Sequence, residues 1–437
     1  MRPTLCPTQK AAWLQCSDAA FSFSPLPSSI CRRAAARASL TGAARPANAA
    51  PMFDLRPVGY VIGLLVAMLG ATMLLPMLVD IAEGRGHWRV FLESATITML
   101  TGGLVALACA NGVEERLSIQ QTFLLTTGVW LTLPVFGALP FWLGAPQVPY
   151  VDAFFEAMSG LTTTGSTVLT GLETLPKGLL LWRGLMQWLG GIGIIVVAMV
   201  FLPELRVGGM QIFRSEGFDT FGKILPRATE ISSRISSIYI ALTLICALCY
   251  VFAGMSVFDA TVHAMTTVAT GGFANYDASF GAFGPGVEYV AVVFMILGAL
   301  PFVRYVQLTA GTAEPLWRDS QIRVFLLTAF GIVALITLYR VAQTEVATEA
   351  AIRKVLFNTV SLITGTGYAS EDYMGWGAFP VAVLFFTGLI GGCAGSTACS
   401  IKVFRYQLLF ASIRAQLQKV QTPHGMFTPR YPGPPGR

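Results

Sequence analysis

The sequence predicts an all-α integral membrane protein in which two N-terminal transmembrane helices precede three similar helix–loop–helix repeats. Composition is the first reason. The 437 residues are 54% hydrophobic and 12% charged, whereas about a quarter of the residues in soluble domains are charged. The second reason is that the apolar runs 58–79, 179–202 and 287–308 reach the roughly 20 residues that a helix needs to cross a bilayer. Lipid therefore solvates most of the chain.

Residues 1–51 form a leader that holds most of the net charge. It contains six basic residues and one acidic residue, which gives +5 of the formal total of +6. The leader has no sustained apolar face, and Met52 stands directly before the first apolar run. We expect the leader to be disordered or to result from a mis-assigned start, although its composition also resembles a transit peptide. A chain that begins at Met52 should reach the membrane as well as the full chain does.

Apolar periodicity divides the remaining sequence. The predicted segments are the N-terminal helices in 52–112, the repeats in 121–202, 236–308 and 322–418, and a tail in 419–437. Each repeat should contain a spanning helix, a short helix, a loop rich in threonine and glycine, and a second spanning helix. The loops are called loop 1 (residues 162–167), loop 2 (269–273) and loop 3 (364–368).

The repeats align by simple shifts. A shift of 107 residues superposes Asp152 on Asp259 and Gly165 on Gly272, and a shift of 202 residues superposes Gly165 on Gly367. One glycine thus stands at the same place in each loop. The two aspartates stand near the start of a short helix, where a carboxylate can accept orphan N–H groups, and we predict that both are helix N-caps.

Basic residues orient the repeats. Arg206, Arg318 and Lys419 are among those that follow the last helix of a repeat, whereas the opposite loops 144–151 and 274–288 contain no lysine or arginine. By the positive-inside rule, the basic side and the tail 419–437 are cytoplasmic. Each short helix then dips into the membrane from outside.

Loops 1, 2 and 3 predict an ion path. Backbone that is not helical persists at membrane depth only where protein buries it or where it lines a wet cavity. Rings of backbone carbonyls can replace the hydration shell of a cation, and glycine gives such a backbone its freedom. Close helix packing by small residues is the alternative reading. The candidate ion-binding residues are Thr163, Thr164, Gly165, Thr270, Gly271, Gly272, Thr366 and Gly367.

Several strings resemble the TrkH/KtrB family of bacterial potassium uptake proteins. They are Ser159-Gly-Leu-Thr-Thr-Thr-Gly165, Ala269-Thr-Gly-Gly-Phe273 with Asp277, and Gly391-Gly-Cys-Ala-Gly-Ser-Thr397 with Lys402. The resemblance covers about residue 52 to the end of the sequence. It implies four helix–loop–helix repeats around a pseudo-fourfold ion pore in the bacterial cytoplasmic (inner) membrane. It also implies that Gly165, Gly272 and Gly367 belong to a filter whose carbonyls coordinate potassium.

The first departure from the family concerns the number of repeats. The resemblance implies a fourth filter glycine about a hundred residues beyond Gly367, and the sequence ends at Arg437. We therefore expect a truncated copy, or a second polypeptide that completes the pore. Three loops alone are not expected to conduct potassium, because a ring that is open on one side cannot replace a hydration shell evenly.

The second departure concerns residues 391–400, the break loop, which interrupts the last helix of the third repeat. In the family this segment lies under the filter and gates it. The implied gating residues are Gly391, Gly392, Gly395, Ser396, Thr397 and Lys402. The family segment ends in a glycine run, which is replaced here by Ala398-Cys399-Ser400, so we expect reduced backbone freedom. A packing kink without a gating role is the alternative.

Partners and rival functions complete the prediction. The resemblance implies a homodimer that docks on a cytosolic nucleotide-binding regulatory subunit of the TrkA type. Membrane lipid surrounds the chain, nothing in it indicates nucleic acid, and no cofactor is expected besides the potassium ion as substrate. The rivals are a repeat-built secondary carrier for another small solute and a non-functional copy. An intramembrane hydrolase using Ser166 or Ser396 with His263 lacks any serine motif, so we predict no enzyme and a hydrogen-bonded His263 near the pore.

Overall fold

The computed structural model describes residues 54–84, 86–112, 117–196, 228–343 and 348–422. These ranges are mostly helical, and their only strand-like pairing is an isolated bridge between Ile390 and Ile401. The prediction of an all-α membrane protein is confirmed. The leader, the region around Arg206 and all but the first few residues of the tail lie outside the described residues, so the predictions for them remain predictions.

Two apolar helical segments open the described chain. They consist of α1 (Arg56–Thr72), α2 (Leu74–Ala82) and α3 (Trp88–Cys109), followed by a 3-10 turn at Ala110–Gly112. Glycines bring α1 and α3 together. A Cβ at Gly63 would lie 2.6 Å from the backbone nitrogen of Ala106, and one at Gly102 would lie 2.4 Å from that of Ala67. The two backbones therefore touch, as small residues allow in membrane helices.

The remaining described helices are grouped here by the sequence repeats to which they belong. The first repeat contains α4 (Ile119–Gly137), α5 (Leu139–Leu143), α6 (Tyr150–Leu161), a 3-10 turn (Leu172–Thr174) and α7 (Lys177–Val196). The second contains α8 (Ala228–Phe252), α9 (Val257–Val268), a 3-10 turn (Ser279–Ala282), α10 (Pro285–Ala299) and α11 (Phe302–Thr309). The third contains α12 (Glu314–Arg318), α13 (Ser320–Gln343), α14 (Thr348–Thr364), a 3-10 turn (Tyr373–Trp376), α15 (Ala378–Leu389) and α16 (Val403–Gln421).

Helix length separates the spanning elements from the short ones. Within the described residues, five segments are long and apolar enough to cross a membrane: Arg56–Ala82, Trp88–Cys109, Gln120–Leu143, Ser232–Phe252 and Ser320–Gln343. The short helices α6 and α9 have 12 residues each, and α14 has 17. All three fall below the roughly 20 residues needed to span a bilayer. Each ends directly at loop 1, 2 or 3.

The second helix of the second repeat is broken, which corrects the prediction of one continuous helix over 287–308. Helices α10 and α11 meet at a bend of 90°. Pro301 has no backbone N–H, and the residue before it, Leu300, is extended with φ −84° and ψ 157°, as a pre-proline residue prefers. The break loop enters the corner, where the backbone N–H of Phe302 donates to the Gly395 carbonyl at 3.0 Å.

The predicted N-caps were wrong. Helix α6 has Pro149 as its N-cap residue and holds Asp152 inside its first turn. Helix α9 is capped by Ser256, whose Oγ accepts the backbone N–H of Asp259 at 3.1 Å. The serine already occupies the capping position, so the Asp259 carboxylate instead accepts the side-chain amide of Asn275 at 2.8 Å. Asp259 thus ties α9 to the backbone beyond loop 2.

Candidate cation filter

Loops 1, 2 and 3 share an unusual backbone conformation. Gly165, Gly272 and Gly367 have φ values of 81°, 83° and 85°. This left-handed region is open to glycine and costly for residues that have a Cβ. The glycines that the sequence shifts aligned therefore adopt one conformation in three separate loops.

A second left-handed position lies two residues before each glycine. It is occupied by Thr163 (φ 54°), Thr270 (φ 49°) and Gly365 (φ 73°). A non-glycine residue in this conformation costs about 1–2 kcal/mol. Both threonine side chains are almost fully buried, and strain of this kind collects at functional sites.

The same backbone hydrogen bond closes each loop against its short helix. The N–H groups of Thr164, Gly271 and Thr366 donate to the carbonyls of Ser159, Thr266 and Ser361 at 2.9, 2.8 and 2.9 Å. The partners are related by the same shifts of 107 and 202 residues. The repeats therefore agree in backbone geometry as well as in sequence.

The loops contact one another in series. A Cβ at Gly165 would lie 2.1 Å from the Gly271 carbonyl oxygen, and one at Gly272 would lie 1.8 Å from that of Thr366. Loop 1 thus touches loop 2, and loop 2 touches loop 3. Around the Cβ position of Gly367, no atom of the described residues comes within 4 Å. All eight predicted ion-binding residues belong to this one cluster of contacting loops.

Arg183 links loop 1 to loop 2, and sequence reasoning missed its role. Its Nε donates to Glu156 at 2.8 Å, its Nη1 to the Ala274 carbonyl at 2.8 Å and its Nη2 to Thr167 at 3.2 Å. Its guanidinium carbon lies 4.1 Å from the ring centroid of Phe273. The signal that could have found it is a lone arginine within the apolar run 179–202, since intramembrane charges are usually paired and functional.

Gln187 lies one turn further along α7 and binds loop 2 at two points. Its Nε2 donates to the Gly271 carbonyl at 2.6 Å, and its Oε1 accepts the backbone N–H of Phe273 at 3.0 Å. A buried amide that is satisfied in this way fixes the backbone it holds. Nothing in the sequence alone pairs Gln187 with a loop 84 residues away.

Loop 3 meets the second repeat through hydroxyl groups and aromatic rings. The hydroxyl of Tyr368 contacts Thr266 Oγ1 and lies 3.2 Å from Thr267 Oγ1. Its ring centroid lies 4.3 Å from that of Phe280. The Tyr368 carbonyl accepts a hydrogen bond from Ser361 Oγ at 2.7 Å. No charged side chain takes part in these contacts.

His263 uses both ring nitrogens within its own repeat. Nδ1 lies 2.9 Å from the Asp259 carbonyl, so it carries the hydrogen, and Nε2 accepts the backbone N–H of Asn275 at 3.4 Å. Neither nitrogen is left to serve as a base for a serine. Ser396 donates to the Cys393 carbonyl at 2.6 Å. The predicted hydrogen bonding of His263 is confirmed.

The break loop lies against loops 2 and 3. Thr397 Oγ1 is 3.1 Å from the carbonyl of Val268 and 2.9 Å from that of Gly298. Cys399 Sγ lies 3.8 Å from the Gly365 carbonyl. The segment therefore contacts α9 where it ends, at the start of loop 2, and touches loop 3 directly.

The other predicted gating residues shape the break loop itself. A Cβ at Gly391 would lie 2.0 Å from the Cys399 carbonyl oxygen, and one at Gly392 would lie 2.7 Å from the Ala398 Cβ. Gly395 is left-handed, with φ 72°. Lys402 Nζ donates to the Ala398 carbonyl and lies 3.4 Å from Ser396 Oγ. The lysine thus ties the loop to itself.

Ser400 is the last residue of the Ala398-Cys399-Ser400 string, and its backbone is left-handed with φ 63°. Its Oγ donates to the Gly388 carbonyl at 2.7 Å. The hydrogen bond offsets part of the roughly 1–2 kcal/mol that a Cβ costs in this conformation. The reduced backbone freedom expected from the missing glycines therefore affects Ser400, whose left-handed conformation is one that glycine adopts more easily.

The apolar helices and the contacting glycine loops define a multi-pass helical membrane protein in which glycine-rich loops from separate parts of the chain meet. The chain belongs to the TrkH family, described as cation transport protein, which its sequence matches over residues 87–431.

Its relatives share most of their length with it. The Trk system potassium uptake protein TrkI of Halomonas elongata is 42% identical over 381 residues, which cover 87% of this chain and 77% of the relative. The Trk system potassium uptake protein TrkH of Escherichia coli is 36% identical, and the alignment covers 85% of this chain and 78% of the relative. The crystal structure of the potassium transporter TrkH from Vibrio parahaemolyticus matches with a TM-score of 0.80 and 32% identity, covering 87% of this chain and 80% of that one.

Proposed function

We propose that this protein is the pore-forming subunit of a Trk-type potassium uptake system in the bacterial cytoplasmic membrane. Transport, and not catalysis, is its function, and the potassium ion is its substrate. The observation that carries the proposal is the set of equivalent left-handed glycines at Gly165, Gly272 and Gly367, in loops that contact one another in series. The relatives named as potassium uptake proteins supply the identity of the ion.

The proposed ligands are neutral oxygens of the three loops. Backbone carbonyls can stand in for the waters that an ion loses, and threonine hydroxyls are oxygen donors of the same kind. The positions are Thr163, Thr164, Gly165, Thr270, Gly271, Gly272, Thr366 and Gly367. Gln187 binds loop 2, and an N–H group of each loop donates to a carbonyl of its short helix. The ion therefore meets oxygens that are already held in place.

The break loop is the proposed gate. Its contacts with Val268 and Gly365 place it beside the ends of loops 2 and 3. Movement of Gly391, Gly392, Gly395, Ser396, Thr397 or Lys402 would change those contacts. The Lys402 hydrogen bonds hold the loop in the present conformation, so their release is the proposed opening step.

The proposed assembly is a homodimer that binds a cytosolic nucleotide-binding subunit of the TrkA type. The relatives are named as proteins of a Trk system, which supports a role within a larger assembly. The basic residues on the predicted cytoplasmic side, which include Arg405, offer charge to such a partner. Crosslinking in membranes, with and without the partner, would test this arrangement.

Uptake in a bacterium that lacks its own potassium transport tests the function. One strain produces the full-length chain, and a second produces the same chain joined to a fourth helix–loop–helix segment from the Halomonas elongata relative. We expect potassium-dependent growth that excess sodium does not replace in the second strain, and the uptake of all variants is compared in that strain. If neither strain takes up potassium above the empty-vector level, or if both take up sodium equally well, the proposal is wrong.

A further inference from the structure

Each short helix carries a fully buried polar side chain that accepts a hydrogen bond from a backbone N–H, and the three N–H groups stand at equivalent positions. The acceptors are Glu156 Oε2, His263 Nε2 and Asn358 Oδ1, and they lie 3.2, 3.4 and 3.3 Å from the backbone nitrogens of Val168, Asn275 and Ser370. The acceptors are related by the shifts of 107 and 202 residues, and each N–H lies three residues after the loop glycine. The side chains differ in chemistry, but the hydrogen bond is the same.

In the first repeat, the charge of Glu156 is compensated. Arg183 donates to its Oε1 at 2.8 Å, while Thr167 Oγ1 lies 2.9 and 3.0 Å from its two oxygens. Oε2 is then left to accept the Val168 N–H. A buried carboxylate without such partners would be costly. The arginine therefore allows a carboxylate to act as the acceptor.

In the second repeat, a neighbouring carbonyl fixes the histidine tautomer. Nδ1 faces the carbonyl of Asp259, which can only accept, so Nδ1 carries the hydrogen and Nε2 is an acceptor. The ring is also enclosed by Phe280 and Phe283, with centroids at 5.5 and 5.1 Å. The imidazole thus turns its lone pair toward loop 2.

In the third repeat, donors fix the orientation of the amide. Asn358 Nδ2 donates to the Lys354 carbonyl at 2.9 Å and to Ser370 Oγ at 3.0 Å. That arrangement leaves Oδ1 toward the Ser370 N–H. Lys354 Nζ adds a bond to the Ser370 carbonyl at 2.9 Å. The backbone beyond loop 3 is held at both its donor and its acceptor.

We propose that Glu156, His263 and Asn358 are positioning residues that hold the outer ends of loops 1, 2 and 3 and thereby set the ion preference. The inference rests on the proposed function and deepens it. What the site requires is a hydrogen-bond acceptor, and charge is incidental. When the backbone N–H loses its acceptor, the residues after the loop glycine can shift. The carbonyls that face the ion then shift with them.

Paired substitutions separate the acceptor from the rest of the side chain. His263→Gln keeps an oxygen near the place of Nε2, whereas His263→Leu keeps bulk without an acceptor. Asn358→Leu removes the Oδ1 acceptor, and no aspartate is placed at this site, because a buried carboxylate would face the Lys354 carbonyl. Glu156 is left unchanged, because replacing its carboxylate would also strand Arg183.

Thr359→Val is the matched control on the same helix. Thr359 is fully buried beside Asn358, and its Oγ1 has no hydrogen-bond partner among the described residues. The substitution removes a buried hydroxyl at nearly constant volume and leaves the loop contact intact. General damage to α14 would appear in this variant too.

Two measurements decide the test in the uptake strains described above. The first is the preference for potassium over sodium, which we expect to fall about tenfold in the leucine variants and to stay near the original value in the Gln and Val variants. The second is hydrogen exchange of the purified full chain, where the amide of Asn275 or Ser370 should lose protection in the matching leucine variant.

Each outcome has a defined meaning. If the unchanged chain selects potassium and the leucine variants keep both preference and protection, the positioning role is wrong while the proposed function stands. If the unchanged chain shows no preference, the proposed function itself fails. If a leucine variant is absent from the membrane, His263→Gln decides, because loss of preference despite a retained acceptor contradicts the inference.

Discussion

The junction between loops 1 and 2 differs in chemistry from the junction between loops 2 and 3. At the first, the buried Arg183 joins Glu156 to the Ala274 carbonyl. At the second, the Tyr368 hydroxyl meets two threonines, and its ring packs on Phe280. The backbone of the loops is nevertheless the same at both. Glycine geometry therefore defines the site, and the supporting side chains can be charged or neutral.

The two junctions should differ in how they respond to damage. Removal of one partner from a buried ion pair leaves a charge without compensation, which typically costs about 3–5 kcal/mol. Removal of a neutral hydroxyl that makes hydrogen bonds costs about 1 kcal/mol. The contact made by Arg183 is thus more fragile than the contact made by the Tyr368 hydroxyl.

The largest effect is expected from Arg183→Met. The Glu156 carboxylate would remain buried with only Thr167 and Val168 as donors, so the free energy of unfolding should fall by about 3–5 kcal/mol. Thermal unfolding in detergent would measure the loss. The double variant Glu156→Met with Arg183→Met removes both charges and should recover part of the stability. A single variant as stable as the unchanged chain would contradict the charged junction.

Gly272→Ala tests the feature that the two junctions share. Its Cβ would lie 1.8 Å from the Thr366 carbonyl oxygen, and its φ is 83°. Left-handed strain and overpacking together cost about 2–5 kcal/mol. We expect potassium uptake to fall to the background level.

Two other glycines calibrate that result. At Gly367 an added Cβ meets no described atom within 4 Å, so Gly367→Ala bears the conformational strain alone and should retain more uptake than Gly272→Ala. Gly331, on the exposed side of α13, has neither a close neighbour nor a positive φ. Equal losses of uptake in all three alanine variants would contradict a special role of loops 1, 2 and 3 in transport.

Tyr368→Phe weakens the second junction selectively. The ring and its contact with Phe280 remain, while the hydrogen bonds to Thr266 and Thr267 are lost. The unfolding free energy should fall by about 1 kcal/mol, well below the effect at Arg183. A loss as large as that of Arg183→Met would show that the second junction is no weaker than the first.

Of these variants, Ser400→Gly should change the stability least, and it should raise the uptake rate and not lower it. It relieves the strain of φ 63° but gives up the hydrogen bond to the Gly388 carbonyl, so the net change in stability should be within about 1 kcal/mol. If the break loop is the gate, a more mobile backbone should raise the uptake rate severalfold. An unchanged rate favours a packing kink without a gating role.

How much the sequence could predict depends on the range of each interaction. The glycine of each loop followed from simple shifts, because the repeats keep the same spacing between short helix and loop. The helix break before Pro301 could have been predicted from the proline. It was missed because the apolar run 287–308 is long enough for one continuous spanning helix. The lone arginine in the apolar run 179–202 signalled a role for Arg183, but its partners and those of Gln187 could not be predicted, since they lie on other elements.

Asp259 illustrates the remaining limit. Its place near a helix start is typical of an N-cap, yet Ser256 stands three residues earlier and takes that role. Serine and aspartate both favour the N-cap position, so the local sequence cannot decide which of the two residues is the cap. The structure decides because Asn275 approaches the Asp259 carboxylate from the backbone beyond loop 2.

The location of the ion tests the central claim most directly. The chain joined to the fourth helix–loop–helix segment would be crystallised with rubidium or thallium, whose anomalous scattering marks potassium sites, and again with sodium alone. We expect a peak bounded by the backbone carbonyls of loops 1, 2 and 3 at the level of Gly165, Gly272 and Gly367, and its disappearance in Gly272→Ala. A peak elsewhere in the membrane region, with none at the loops, would contradict the account.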